Sequence, residues 1–194
     1  TWRAGQHGIL FLPTSRNDRG WRPFSVASSS HEQEIQIGTM ISEPHSEFKE
    51  VLRTLTPGAT VTFRGPFGSF HAGDTPTQLV GIAGGIGITP LRALAYEVAH
   101  GQLPNTTLHI IYGTNDSYPY QSELDAWQHQ SDHLSVAYLR EPAAIQDAIA
   151  NQWNIYGNHA RYLISGSPGM IKGVREHCQQ LGVRHVVHDP FTGY

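Results

Sequence analysis

Up to about residue 70, apolar positions come in short bursts at strand spacing. They cover 7–12, 22–28, 34–41 and 60–67, separated by the turn-rich stretches 15–20, 28–31 and 56–58. One burst is helical: over 46–55, Phe48, Val51, Leu52 and Leu55 fall on a single face. Short strands at this spacing predict a small antiparallel barrel. Residues 71–78, His-Ala-Gly-Asp-Thr-Pro-Thr-Gln, are polar and carry Gly and Pro, so they mark a boundary between domains at 1–72 and 77–194. Beyond it the rhythm alternates. Strands are predicted from Leu79 and over 108–112, 134–139, 162–165 and 185–187, with helices over 89–99, 122–129, 142–153 and 170–181, the last stopped by Gly182. Alternation of this kind means a parallel sheet covered on both faces, with ligands bound beyond the carboxyl ends of its strands.

The first strand of that second half runs into Gly84-Gly85-Ile86-Gly87-Ile88-Thr89-Pro90. Thr89 offers an N-cap hydroxyl, Pro90 suits the first helical position, and Leu91, Leu94, Ala95 and Val98 mark the buried face of the helix that follows. Strand, glycine turn and helix together aim bare backbone N–H groups at a phosphate. Taken alone, the glycines equally describe a tight turn in any α/β domain. Ser165-Gly166-Ser167-Pro168-Gly169-Met170 is a second strand-end glycine loop, placed by the topology on the same sheet edge.

Composition removes several classes. The chain of 194 residues has a net charge of -3 and no basic run, which gives no electrostatic case for nucleic acid. A single cysteine, Cys178, excludes an internal disulfide and an all-cysteine iron–sulfur site within the chain, in keeping with a reducing compartment. No apolar run approaches the ~20 residues that span a bilayer. Twelve histidines invite a metal reading. However, His185 and His188 fall on opposite faces of a strand, and His129 and His133 straddle a helix end, so no metal site is expected.

In the first half, Arg22-Pro23-Phe24-Ser25 sets a phosphate fork, an aromatic face and a hydroxyl side by side. Taken alone it is a surface Arg beside a core Phe. Gly65-Pro66-Phe67-Gly68-Ser69-Phe70 reads as a tight turn between strands. In their order and spacing, these two stretches and the two glycine loops resemble the ferredoxin–NADP reductase superfamily. The resemblance covers nearly the whole chain. The family's Arg-x-Tyr-Ser motif stands here with Phe24 for Tyr, its Gly-Pro-x-Gly-x-Phe turn as residues 65–70, its Gly-Gly-x-Gly-x-Thr-Pro loop as residues 84–90, and its Cys-Gly-Pro-x-x-Met loop as residues 165–170, without the Cys and with one residue between Gly and Pro. The terminal Asp189-Pro190-Phe191-Thr192-Gly193-Tyr194 resembles the tail of one bacterial branch.

The resemblance implies a Greek-key FAD-binding barrel joined to a parallel α/β NAD(P)-binding domain. It also implies an enzyme that passes a hydride from NAD(P)H to FAD and electrons onward to a separate acceptor, such as a redox protein, an oxygenase or a ferric complex. By this resemblance Phe24 stacks on the flavin and Ser25 hydrogen-bonds its N5, as the catalytic residue. Arg22, with Pro23, Ser46, Glu47 and Phe48, holds the pyrophosphate end, while Thr39, Met40 and Ile41 run along the flavin and Tyr194 covers its other face. Gly84, Gly85, Gly87, Thr89 and Pro90 take the nicotinamide nucleotide's pyrophosphate; Gly166, Pro168, Gly169 and Met170 flank the nicotinamide. Thr114 and Asp116 lie in the loop that chooses between nucleotides. Asn115 and Asp116 stand there where NADP-dependent relatives commonly have an Arg, which favours NADH, although Arg140 or Arg161 could reach in and reverse the choice.

The alternative function is a non-catalytic flavin- or nucleotide-binding module. The location expected is the cytoplasm or the cytoplasmic face of a membrane. A membrane enters only through a domain upstream of Thr1. Because the chain lacks an initiator Met, a segment is expected to precede it, leaving the strand at 7–12 as an open edge covered by another segment or chain.

Overall fold

In the computed structural model, which describes residues 1–74 and 78–188, the chain forms two sheets. The first is antiparallel and built from β1 (His7–Phe11), β2 (Trp21–Ser25) and β3 (Thr62–Phe67), in the order β2-β1-β3. Helix α1 (Glu47–Thr54) packs on it through Phe48, which is fully buried with Leu10 and Leu12. Ser46 caps α1 as its side chain predicts, accepting the Lys49 N–H at 3.4 Å. Leu55, expected on the apolar face, is instead the C-cap and 37% exposed, because the helix stops one residue before it.

Two expectations for this half are corrected. The strand at 7–12 is not an edge: β1 pairs with β2 on one side and β3 on the other, so β2 and β3 carry the outer edges. The alternation at 34–41 does not produce a strand. Only a bridge between Val26 and Ile37 forms, backed by the Ala27 N–H bonding the Gln36 carbonyl at 2.8 Å. The physical reason is Gly38. A Cβ there would lie 2.7 Å from both Thr89 Cγ2 and the Tyr120 hydroxyl, so the segment is pressed against the second half instead of entering a ladder.

The second sheet is parallel, in the order β6-β5-β4-β7-β8. Its strands are β4 (Gln78–Gly84), β5 (Thr107–Gly113), β6 (Leu134–Leu139), β7 (Ala160–Ser165) and β8 (Val186–His188). Its helices are α2 (Thr89–Ala99), α3 (Gln121–Gln130), α4 (Pro142–Tyr156) and α5 (Pro168–Leu181). β4 is buried on both faces, which is why its sequence is continuously apolar. Leu79 and Ala83 face the α2/α3 side with Leu91, Leu94 and Leu124, while Val80 and Ile82 face Ile149, Ile171 and Val174 on the α4/α5 side. The chain builds outward from β4 through β5 to β6, then returns to place β7 on β4's other side. The carboxyl end of β4 is therefore the switch point of the sheet.

Ala4, Phe70 and Ala72 come from the antiparallel half, yet they are buried in the same cluster as Leu79, Leu91 and Leu108. The two halves thus share apolar core. Truncating Phe70, which is 1% exposed, is expected to cost about 3–5 kcal/mol through lost transfer energy and a residual cavity. Denaturant titration of Phe70→Ala checks this, and a loss below about 1 kcal/mol would show that the shared core contributes little.

Candidate functional site

One cleft of about 470 Å³ opens between the halves. Arg22, Pro23, Phe24, Ser25, Thr39, Ser46 and Phe48 line it from the first half, and Thr89 lines it from the second. It is also lined by Arg19, Trp21, Gly38, Pro44, His45, Lys49 and Ile86, which sequence reasoning did not single out. Lys49 and His45 were legible as neighbours of the Ser46 cap. Gly38 was hidden by the strand-like alternation around it.

Strand β2 presents Phe24 and Ser25, and Phe24 stacks against Phe48 of α1 with ring centroids 6.1 Å apart. Arg22 lies with its guanidinium 5.0 Å from the Phe48 ring centroid. Its Nη1 donates to the carbonyls of Arg19 and Trp21 at 2.6 and 2.8 Å, and its Nη2 to Asp18 Oδ1 at 2.5 Å. The other Asp18 oxygen accepts the Phe48 N–H at 2.8 Å. The Arg22 bond and the Phe48 N–H hold the Asp18 carboxyl below its ordinary range. Three of the five N–H groups of Arg22 are therefore committed, and two remain for a ligand. Among the cleft's lining residues are two arginines, a lysine and a histidine, with no carboxylate. That is a lining suited to an anionic ligand with a flat apolar portion.

Three residues expected here lie elsewhere. Glu47 turns to Ser15, accepting its N–H at 2.8 Å and its hydroxyl at 2.5 Å. Met40 is 55% exposed and contributes only a carbonyl, which accepts Lys49 Nζ at 2.9 Å. Ile41 is half-buried outside the cleft. Tyr194 lies outside the described residues.

The glycine loops meet at the end of β4. Ala83 and Ser165 are register partners, and a Cβ on Gly87 would lie 2.4 Å from the Ser165 carbonyl oxygen. Gly84 and Gly166 are packed in the same way against Met170 Sδ, where added Cβ atoms would approach to 3.1 and 2.8 Å. Gly85 adopts φ 52, the left-handed region that glycine enters without steric cost.

The caps are rearranged. A 3₁₀ turn (Gly85–Ile88) precedes α2, so Thr89 is the first residue of the helix rather than its N-cap, and Pro90 follows as the second. The Thr89 hydroxyl donates to the Ile86 carbonyl at 3.1 Å, the atom that also accepts its own backbone N–H. At the second loop Ser167 is a true N-cap, accepting the Met170 N–H at 3.4 Å, so α5 begins at Pro168 and not at 170. Gly169 faces open space. Cys178 does not replace the cysteine missing from this loop. It is fully buried on α5 in the core, where burial pushes its thiol up to about 11.

Tyr112, which sequence reasoning missed, is fully buried at the end of β5. Its hydroxyl donates to the Gly85 carbonyl at 3.0 Å and so anchors the first loop. Beside it, Thr114 Oγ1 accepts the Asp116 N–H at 3.2 Å, and Asp116 is exposed. Arg140 joins this loop: it donates to the Asn115 carbonyl at 2.8 Å and lies 5.6 Å from the Tyr118 ring centroid. Arg161 does not. It pairs in register with Leu79 near the start of β4, at the opposite end of the sheet, and donates to the Ser69 carbonyl at 3.3 Å.

An antiparallel sheet with a helix-capped cleft is thus followed by a parallel sheet with paired glycine loops at its switch point, where open α/β sheets bind their ligands. Residues 82–176 match the family described as "Oxidoreductase NAD-binding domain". A component of the Na(+)-translocating NADH-quinone reductase of Mannheimia succiniciproducens is 26% identical over 204 aligned positions, covering 89% of this chain and 49% of that protein. Among solved structures, the Amycolatopsis cytochrome P450 reductase GcoB superposes with a TM-score of 0.81 at 20% identity, over 99% of this chain and 62% of the other. The Plasmodium falciparum ferredoxin-NADP+ reductase with 2'P-AMP superposes with a TM-score of 0.77 at 17% identity, over 97% and 83%. The fold is the one these solved reductases share over nearly the whole of this chain, and the family match falls within its second half. The chain spans about half the length of curated relatives such as the Mannheimia protein.

Two glycines separate packing from conformation at this edge. Gly87→Ala forces a Cβ into the Ser165 carbonyl and is expected to cost about 1–3 kcal/mol, as overpacking does. Gly169→Ala enters open space within a helix and is expected to be neutral or to stabilise by about 0.5–1 kcal/mol. Thermal unfolding of both variants checks the contrast. Equal effects would show that the two loops do not pack as described.

Proposed function

We propose that this chain is the reductase portion of an electron-transfer protein: NADH reduces a bound FAD, and the electrons pass to a separate redox acceptor. The observation that carries the reading is the shared cleft. The Arg22–Ser25 strand and the α1 cap form one wall, and Ile86 and Thr89 of the glycine loop form another. Two ligands placed on those walls meet within one space.

The residues fit a flavin dinucleotide. Arg22 has two donors left for a pyrophosphate, Arg19 and Lys49 add charge, and Phe24, stacked on Phe48, offers an aromatic shelf. Ser25, 8% exposed at the end of β2, would present its hydroxyl at the flavin's reactive edge. When bound, the flavin supplies the hydride-accepting chemistry. The protein's part is alignment and exclusion of water, because hydride transfer needs two rings held in register rather than an acid or base. Gly84, Gly87 and Gly166 pack the two loops together around Met170, and Gly85 and Gly169, which face open space, would leave bare backbone for the nucleotide to approach. Electron delivery to a quinone-linked or cytochrome-type partner is the acceptor class that the relatives' names suggest. This reading places the reaction on the cytoplasmic side, where NADH is supplied.

Flavin loading tests the first half of this reading. The purified protein reconstituted with FAD is expected to be yellow and to bleach when NADH is added. Arg22→Ala is expected to weaken FAD at least about tenfold, the worth of a charge-assisted pair, as read by quenching of flavin fluorescence. Wild-type affinity in that variant would overturn the assignment of Arg22.

The choice of nucleotide tests the second half. Asp116 is exposed in the ribose loop, where a carboxylate accepts a hydrogen bond from a 2′-hydroxyl and repels a 2′-phosphate. NADH is expected to exceed NADPH in kcat/KM by about tenfold. Asp116→Ala should narrow that ratio, and Arg140→Ala should widen it, because Arg140 is the cation beside the loop. A preference for NADPH that neither substitution alters would show that the loop is not the selector.

A further inference from the structure

Arg92 is a charged side chain placed where charge is costly. It sits on α2, three residues after Thr89, and is 3% exposed. Its Nη1 donates to both oxygens of Glu32 at 2.6 Å and to the Ala27 carbonyl at 3.2 Å. Its Nε donates to Glu123 Oε2 at 3.1 Å, and its Nη2 bonds the same oxygen. The guanidinium lies 4.7 Å from the Trp127 ring centroid. Glu32 and Ala27 belong to the antiparallel half, while Glu123 and Trp127 belong to α3.

The Glu32 end of this bridge is itself fixed. The 3₁₀ turn Ser30–Glu32 carries a capping box in which the Ser29 N–H donates to Glu32 Oε2 at 2.7 Å. The Ser29 hydroxyl donates in turn to Glu97, the buried carboxylate of α2, at 2.8 Å. Two side chains of one helix therefore grip the single segment that joins β2 to the cleft residues Gly38 and Thr39. Burying such a network is a poor way to gain stability, because desolvation offsets most of the attraction. What a fork with three fixed partners does supply is geometry.

We infer that Arg92 is a positioning residue that sets the distance between the flavin wall and the nucleotide wall of the cleft. The covalent path is short on both sides. Ala27 is two residues from Ser25, and Arg92 is three from Thr89, so the Arg92–Ala27 bond ties the proposed N5 contact to the glycine-loop helix. A displacement of about 1 Å between reacting rings can cost on the order of a hundredfold in rate. This inference rests on the proposed NADH–flavin reading, but part of its test does not.

Two variants keep it falsifiable. Arg92→Lys retains the charge but has no fork to span Ala27, Glu32 and Glu123 together. The triple variant Arg92→Met/Glu32→Gln/Glu123→Gln removes the charges as a set, leaving no uncompensated carboxylate. The first readout is amide hydrogen exchange on flavin-free protein. Protection over residues 26–39 is expected to fall at least about tenfold in both variants, while β4 and β5 stay protected. The second is stopped-flow bleaching of FAD by NADH, expected to slow at least about tenfold, with flavin and NADH affinities each changed less than about threefold.

Unchanged protection together with wild-type bleaching in either folded variant overturns the inference. A lower melting temperature with unchanged bleaching does so as well, because it marks a purely structural ion pair. Failure of the wild-type protein to bleach would instead sink the function proposed above, and the exchange measurement would still decide whether Arg92 holds the segment.

Discussion

The carboxyl edge of the parallel sheet depends on one close approach, that of Gly87 to the Ser165 carbonyl. A side chain at Gly87 would push β4's exit away from β7's, and the switch point would open. The contact is feasible because β4 and β7 are paired through Ala83 and Ser165, so both loops leave the sheet at the same height. Tyr112 then pins the first loop through the Gly85 carbonyl. Its ring closes the core beneath the loop, and burial pushes its hydroxyl well above the ordinary tyrosine range. The hydroxyl is therefore a fixed donor there, not an acid.

The two halves are joined by two kinds of interaction with different consequences. Phe70, Ala4 and Ala72 join the α2/α3-side core and supply the non-directional burial that holds the halves together. The Arg92 network adds direction. It is ionic, buried and aimed at one segment, so it constrains where the cleft walls stand more than whether they associate. Apolar packing alone would tolerate sliding, whereas a forked donor with three partners does not.

The cleft's basic side chains face it directly, while their carboxylate partners stand behind them: Asp18 at Arg22, and Glu43 and Glu50 at His45. Arg19, Arg22, Lys49 and His45 line it without a carboxylate, and Asp18 stays behind Arg22, fixing its orientation while accepting the Phe48 N–H. Asp18 and the backbone carbonyls hold the fork in a single pose before any ligand arrives, which lowers the ordering cost of binding. Because Arg22 already serves three internal acceptors, a phosphate bound there would share it with them, and Lys49 and Arg19 would add to the charge that meets it.

Much of the fold was legible in the sequence because it is governed by local rules. Ser46 caps α1, Gly182 ends α5, continuous apolar runs became doubly covered strands, and the alternation after Leu79 became a parallel sheet. The cleft residues Arg22, Phe24, Ser25 and Thr89 were legible as motifs because their chemistry depends on spacing along the chain. Where the reading failed, contacts distant in sequence overrode local pattern. The alternation at 34–41 was broken by the approach of Gly38 to Thr89 and Tyr120. The central place of β1 depended on β3, which arrives some fifty residues later. The Thr89 cap was pre-empted by a 3₁₀ turn that spends the Ile86 carbonyl on it. Arg140 and Arg161 could not be separated along the chain, because strand direction decides which end of the sheet each one reaches. Arg92 looked like any polar helix position, and only the meeting of Glu32, Ala27 and Glu123 around it gave it partners, since burial of a charge is a property of the assembled halves and not of the helix that carries it.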